Sequence, residues 1–335
     1  MLVVVNLEEM HPAFSLPEEI FAALCTEFPQ IEFHWNRHRR DFYQRVADAD
    51  VLWSWQLSPE IFKLARNLKW FHAQAVGVRR SIFPELKKAN VIITNARNVP
   101  SRAVAEHCLA LILALIRRIP NLVKSQEQRL WASDAYQDHF KEIGEVSSYV
   151  FAVFGLGSIG QEIARLLKAF GATVFGYRLR AIKCDFVDRI YHGEGMDEIL
   201  GQSEFVIDTL PATELTRKFF NQDKFSRMRQ GAFFVNVGRG WTHDEDALIR
   251  ALGYEPGTGK WEQGWLGGAA LDVFHEEPLP KDSPLWTAPN VIISPHVASV
   301  SRNYWDRAKA VFSENLRRFV AGGQLLNLVD IELGY

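Results

Sequence analysis

The chain has 335 residues, 47% of them hydrophobic, which is long for a single core and leads to an expectation of two domains. Its 38 lysines and arginines nearly balance 40 aspartates and glutamates, so a net charge of −2 argues against nucleic acid or a membrane surface as partner and for a small molecule. Cys25, Cys108 and Cys184 have neither metal-ligand spacing nor the even count of a disulfide framework, and they fit reduced thiols in a cytoplasmic protein.

From the start, short apolar runs of strand type alternate with helical patterns. Leu2 to Val5 reads as a strand, too short and too poor in flanking basic residues for a signal peptide. A helix opens at Pro17-Glu18-Glu19, strands are expected at Ile31 to Trp35 and Val51 to Trp55, and a helix follows Ser58-Pro59. Strands at Trp70 to Ala73 and Val91 to Thr94 continue the series, which predicts parallel strands joined by crossover helices. After the fourth strand, Gln74-Ala75-Val76-Gly77-Val78 is either an ordinary loop or one whose backbone N–H groups face a ligand. Trp53 and Trp55, at the end of the third strand, are either pocket walls or core packing.

Pro100 stops this pattern, and Ser101 is placed to cap a long apolar helix, Arg102 to Arg118, taken as the crossing into a second domain. Its apolar block, Leu109 to Ile116, is too short to span a membrane and asks for cover from another domain or a second subunit. Pro120 to Gly144, with Trp131, Tyr136 and Phe140, has no clean period and reads as a dimer arm or a surface loop.

Val150 to Phe154 is then a strand that stops at Gly155-Leu156-Gly157-Ser158-Ile159-Gly160 and restarts as the amphipathic helix pattern Ile163, Ala164, Leu166, Leu167. Strand, glycine turn and helix at this spacing form a dinucleotide fingerprint, with the pyrophosphate at the helix N-terminus. The next strand, Thr173 to Tyr177, ends at Arg178, followed by Arg180 and Lys183, where such folds carry an acid for a free ribose hydroxyl or an arginine for a 2′-phosphate. NADP(H) is therefore favoured over NAD(H), unless Arg178 only stacks on adenine while either cofactor binds.

Strands at Glu204 to Asp208 and Ala232 to Asn236 empty into Thr209-Leu210-Pro211-Ala212-Thr213 and Val237-Gly238-Arg239-Gly240. An arginine between glycines at a strand's carboxyl end is placed to bind an anion. Asp244, Glu245 and Asp246 are expected to stabilise the first turn of a helix, and Gly253 to Trp265 reads as a loop. Two last strands deliver Asp272 with Glu276-Glu277 and, after Pro295, His296.

Hydride transfer to a carbonyl needs a cation for the substrate, an acid for the developing alkoxide and a partner for that acid; Arg239, His296 and a glutamate from Glu276-Glu277 supply all three. With these segments in hand the chain resembles the D-isomer-specific 2-hydroxyacid dehydrogenases, on the glyoxylate/hydroxypyruvate reductase side of that family. The resemblance runs through Val76-Gly77-Val78, Val104-Ala105-Glu106, the glycine turn, Leu210 to Thr216, Val235 to Gly240, Ala270 to Phe274, Glu277-Pro278-Leu279, Ser294-Pro295-His296 and Leu326 to Tyr335.

The resemblance implies a two-domain α/β architecture, a Rossmann-type dinucleotide-binding domain (101–299) inserted in a flavodoxin-like substrate domain (1–100 and 300–335). It implies that Arg239 binds the substrate carboxylate and carbonyl, that His296 is the acid/base, that Glu277 pairs with it while Glu276 is solvated, and that the Val76 and Gly77 backbone holds the carboxylate. Cofactor contacts are implied for Gly155, Leu156, Gly157, Ser158, Ile159 and Gly160, for Arg178 and Arg180, for Leu210, Pro211 and Thr216, for Val237 and Gly238, and for Asp272 and His296. No metal is expected. The implied substrate is a small 2-keto acid or D-2-hydroxy acid, and the implied assembly is a homodimer. The competing expectation is a non-catalytic NAD(P)-sensing protein on the same fold, as in corepressors that resemble this family. Formate oxidation is disfavoured, because that branch carries glutamine where Glu277 stands. The loop 253–265 is longer than the family's usual one.

Overall fold

The structure, a computed structural model, describes residues 1–8, 12–37, 39–139, 142–178 and 184–334. Arg180, Lys183, Phe140 and Tyr335, named above, lie outside these residues. The chain divides into two compact units, Met1–Pro100 with Val300–Tyr335, and Ser101–Ser299.

In the first unit, β1 (Leu2–Asn6), β2 (Glu32–Trp35), β3 (Val51–Ser54), β4 (Trp70–Ala73) and β5 (Ile92–Asn95) form a parallel sheet in the order β2-β1-β3-β4-β5. The near-continuous apolar runs of its inner strands are those of a sheet buried on both faces. Alternate residues divide between two cores. Val3, Val5, Val51, Trp53 and Trp70 pack with helices Glu18–Glu27 and Tyr304–Val320, whereas Val4, Leu52, Phe71 and Ile93 pack with Phe42, Leu57 and Leu86. Helix Tyr304–Val320, which the strand-and-motif reading passes over, centres that first core. Phe312 stacks on Trp53 at 4.1 Å and on Trp70 at 5.2 Å between ring centroids. Trp53 is thus core packing: it is fully buried and donates its indole N–H to Gln74 Oε1 at 2.7 Å.

The second unit continues with β6 (Val150–Phe154), β7 (Thr173–Tyr177), β8 (Arg189–Tyr191), β9 (Phe205–Asp208) and β10 (Phe233–Asn236). It is completed by a hairpin, β11 (Tyr254–Glu255) and β12 (Lys260–Trp261), and by β13 (Gly268–Leu271) and β14 (Val291–Ile293). The main sheet is parallel, in the order β14-β13-β10-β9-β6-β7-β8. Its first strand, β6, is internal, and the strand order reverses there, so a ligand crevice is expected beyond the carboxyl ends of β6 and β9.

Three local expectations change. Ser101 lies within helix Ser101–Ile116, and its hydroxyl donates to Ser158 Oγ at 3.0 Å. The segment 120–144 contains helices, Ile119–Glu127 and Ser133–Asp138, the first set off from its predecessor by Arg118 in a left-handed conformation (φ +52°). The loop 253–265 holds the β11–β12 hairpin, closed by Tyr254 against Trp261 at 5.0 Å.

Candidate active site

Sterics shape the glycine turn beyond β6. Gly155 sits at φ +94°, and a Cβ on Gly160 would stand 2.0 Å from the Gly155 carbonyl oxygen, so the helix start can meet the turn only without a side chain. A Cβ on Gly157 would meet nothing within 4 Å, so this backbone faces open space beside the first N–H groups of helix Ser158–Ala169. That combination of close packing and an open approach to free N–H groups fits a pyrophosphate. Leu156 turns its side chain into the core, leaving its backbone to the turn. Beyond β7, the half-buried Arg178 donates from Nη1 to the Leu156 carbonyl oxygen at 3.3 Å, so its guanidinium lies beside the turn.

The loop after β9 is folded by its own threonines: Thr216 Oγ1 donates to the Pro211 carbonyl oxygen at 2.5 Å, and Thr213 and Thr216 close a capping box. Thr216 therefore shapes the Leu210-Pro211 segment from a buried position.

After β10, Asn236 serves as an internal template for the arginine loop. Its Oδ1 accepts the Gly238 N–H at 2.9 Å, and its Nδ2 donates to the Arg239 carbonyl oxygen at 3.1 Å and to His243 Nδ1 at 2.9 Å. Burial pushes the His243 imidazole down to about 4, so it stays neutral and its Nδ1 accepts. Arg239 is extended and donates from Nη1 to the Gly238 carbonyl oxygen at 2.7 Å. Gly240 lets this loop press on the next one, since a Cβ there would stand 1.9 Å from the Phe274 carbonyl oxygen.

His296 Nδ1 lies 2.7 Å from Glu277 Oε2. Burial works to raise the Glu277 pKa, but hydrogen bonds from His296 and the Phe274 N–H, with the positive charges of His296 and Arg239, outweigh it and hold the carboxyl below its ordinary range. Facing a carboxylate, Nδ1 donates, which leaves Nε2 to carry the working proton. His296 itself is held at φ +55°, an unusual conformation for a side-chain-bearing residue.

Asp272 maintains that conformation. It is buried, and its carboxylate accepts the Ser294 hydroxyl at 2.5 Å and the Val297 and Ala298 N–H groups at 3.0 and 3.1 Å, on both sides of His296. His107 Nε2, from helix Ser101–Ile116, lies 2.9 Å from Ser294 Oγ. No role is read from the sequence for Ser294, His107, Asn236 or Thr242: Ser294, His107 and Thr242 act through partners distant in the chain, and Asn236 through loop geometry that composition does not reveal. Glu276 is exposed.

In the other unit, the loop after β4 is pinned by side chains. Asn95 Nδ2 donates to the Val76 carbonyl oxygen at 2.8 Å, and Gln74 Nε2 donates to Tyr304 Oη at 3.1 Å. Burial pushes the Tyr304 phenol up to about 12, so it remains a neutral hydroxyl. Val76 is half-buried and Gly77 exposed. Among the described residues no group of three His, Cys, Asp or Glu side chains is placed to hold a metal, and no helix is long and apolar enough to cross a membrane.

Comparison with known proteins gives a consistent picture. Residues 109–298 match the family pattern described as "D-isomer specific 2-hydroxyacid dehydrogenase, NAD binding domain". A glyoxylate reductase of Korarchaeum cryptofilum is 31% identical over 295 residues, 87% of this chain and 85% of that protein. Among solved structures, the chain is similar to an NADPH-dependent glyoxylate/hydroxypyruvate reductase of Sinorhizobium meliloti in complex with NADP and sulfate (TM-score 0.82, 27% identity, 100% of this chain and 99% of that one). It is also similar to a D-isomer specific 2-hydroxyacid dehydrogenase of Xanthobacter autotrophicus in complex with NADPH and MES (TM-score 0.81, 28% identity, 100% and 99% covered).

Proposed function

Because the chain belongs to the D-isomer-specific 2-hydroxyacid dehydrogenase family, and so is an NAD(P)-dependent oxidoreductase, we propose that it reduces small 2-keto acids to 2-hydroxy acids. Glyoxylate and hydroxypyruvate are the foremost substrates, with NADP(H) favoured and NAD(H) usable. The pairing of His296 with Glu277 at 2.7 Å carries this reading, because it makes a proton donor where a dinucleotide fold needs one. The reductases named above and the NADP held by the Sinorhizobium protein support the substrate class and the cofactor.

The turn 155–160 would hold the pyrophosphate and Arg178 a 2′-phosphate, with Leu210, Pro211, Val237 and Gly238 lining the rest of the cofactor site; Arg180 is assigned with Arg178 from the sequence alone. When bound, the reduced nicotinamide supplies the hydride that the keto carbon takes. Arg239 holds the substrate carboxylate and polarises its carbonyl. His296 Nε2 gives its proton to the keto oxygen as the new C–H bond forms, and Glu277 stabilises the imidazolium until then. Unit Ser101–Ser299 is read as the dinucleotide-binding domain, and Met1–Pro100 with Val300–Tyr335 as the substrate-binding domain, where Val76 and Gly77 offer backbone N–H groups. A cytoplasmic homodimer completes the proposal.

A panel of 2-keto acids assayed with NADPH and NADH tests the reading. Turnover of at least one small keto acid is expected. If no reduction or reverse oxidation occurs with either cofactor while NADPH still raises the melting temperature, the protein is a nucleotide-binding sensor on this fold.

A further inference from the structure

The loops after β9 and β10 meet on a buried carboxyl for which the chemistry above has no use. Asp208 closes β9 with no exposed surface. Its Oδ1 accepts the Leu210 N–H at 2.9 Å, and its Oδ2 lies 2.5 Å from Thr242 Oγ1. The same Thr242 oxygen lies 2.6 Å from the Arg239 carbonyl oxygen, which also receives Asn236 Nδ2 at 3.1 Å and the Thr242 N–H at 3.2 Å.

A threonine hydroxyl has one hydrogen, and here it faces two short oxygen contacts. If that hydrogen went to Asp208, two acceptor oxygens would stand 2.6 Å apart with nothing between them. If it goes to the Arg239 carbonyl, the 2.5 Å contact needs its hydrogen from Asp208. Both contacts are filled only when Asp208 is a carboxylic acid that donates to Thr242, which donates onward to Arg239.

We propose that Asp208 is a positioning residue that works as a neutral acid. Its proton ties the Leu210 loop to the Arg239 loop, and loss of that proton takes the Thr242 hydroxyl away from the Arg239 carbonyl, loosens that loop and weakens keto-acid binding. The inference rests on the reading that Arg239 holds the substrate carboxylate. Burial raises the Asp208 pKa to about 7 against the opposing pull of the Thr242 and Leu210 hydrogen bonds. In register beside it stand Phe154 of β6 and Asn236 of β10, neither of which titrates. The turn packed against it brings Arg239, the neutral His243 and, next along, Asp244 in an ion pair with Lys218 at 2.9 Å. The Asp244 carboxyl is held below its ordinary range, so an inflection near neutrality in this network belongs to Asp208.

The test compares KM for glyoxylate, at saturating NADPH, from about pH 5 to about pH 9 in wild type, Asp208→Asn, Thr242→Val and Thr242→Ser. An asparagine amide N–H can donate to Thr242 as the acid does, so Asp208→Asn should keep the low-pH KM throughout. Wild type should show an additional rise of roughly 3- to 10-fold across neutrality, the scale of one lost neutral hydrogen bond. Thr242→Val should start high and show no such step, and Thr242→Ser should restore it. Infrared difference spectra should show a protonated carboxyl at about pH 6 that Asp208→Asn removes. The same KM rise in wild type and Asp208→Asn, or no such infrared band, overturns the proposal. If wild type reduces no keto acid at any pH, the functional reading fails instead, and the infrared band still decides where the proton sits.

Discussion

Replacing Asp208 with asparagine should change how the stability of unit Ser101–Ser299 depends on pH. The folded carboxyl titrates at about 7 against an ordinary value of 3.8, so between these values the folded chain keeps a proton that the unfolded chain has released. The stability gained from that proton is complete below the unfolded value and is lost as pH rises through the folded one. Between about pH 5 and about pH 8 the loss amounts to about 2–3 kcal/mol at 1.36 kcal/mol per unit. The asparagine variant has no such titration, so its stability relative to wild type should climb by that amount over the same interval. Hydrogen exchange of β9 peptides reports the opening free energy of this strand directly. A difference that stays flat, or falls as pH rises, would mean that Asp208 is ionised in the folded state and that the hydrogen accounting around Thr242 is wrong.

Three further outcomes follow from the site and the core. His296→Ala should lower kcat by roughly 10²- to 10⁴-fold with NADPH binding near normal, measured by steady-state kinetics and fluorescence titration; a variant within a few-fold of wild type would remove His296 as the acid. Arg178→Asp should move the ratio of kcat/KM for NADPH over NADH toward NADH, and an unchanged ratio would mean that the guanidinium beside the Leu156 carbonyl reads no phosphate. Phe312→Ala should cost about 3–5 kcal/mol in denaturant unfolding, because it removes the ring stacked on both Trp53 and Trp70; a loss under about 1 kcal/mol would show that this core closes over the gap.

What could be read in advance was whatever depends on near neighbours in the chain. Gly155 and Gly160 announce their turn because their requirements are local, a positive φ at Gly155 and, for Gly160, a close approach to the Gly155 carbonyl five residues back. Arg239 and His296 stand out because each lies a few residues past a short apolar run, Arg239 between two glycines and His296 after Pro295. Helix Tyr304–Val320 is hard to see in the sequence although Tyr304, Ala308, Phe312 and Leu316 recur at helical spacing, since arginines and acids stand among the positions between them. The β11–β12 hairpin has two-residue strands, too short for any alternation to register. Asp208 was invisible as an acid for a different reason. Its state is set by burial and by Thr242, 34 positions away in the chain, and no local pattern carries that information. Asp272 is assigned to the cofactor by resemblance, and the folded chain adds what no local pattern carries, that its carboxylate holds the loop on either side of His296.

The partnership of Phe312 with Trp53 and Trp70 also orders events during synthesis. Domains form broadly as the chain emerges, and the middle unit is fully translated before residue 304 exists. The first hundred residues therefore lack, on a sheet face that helix Glu18–Glu27 shares, the ring that stacks on both indoles until the ribosome has made Phe312. A nascent chain arrested ahead of Tyr304 would present that face to chaperones, and completing the last turns of the helix would withdraw it.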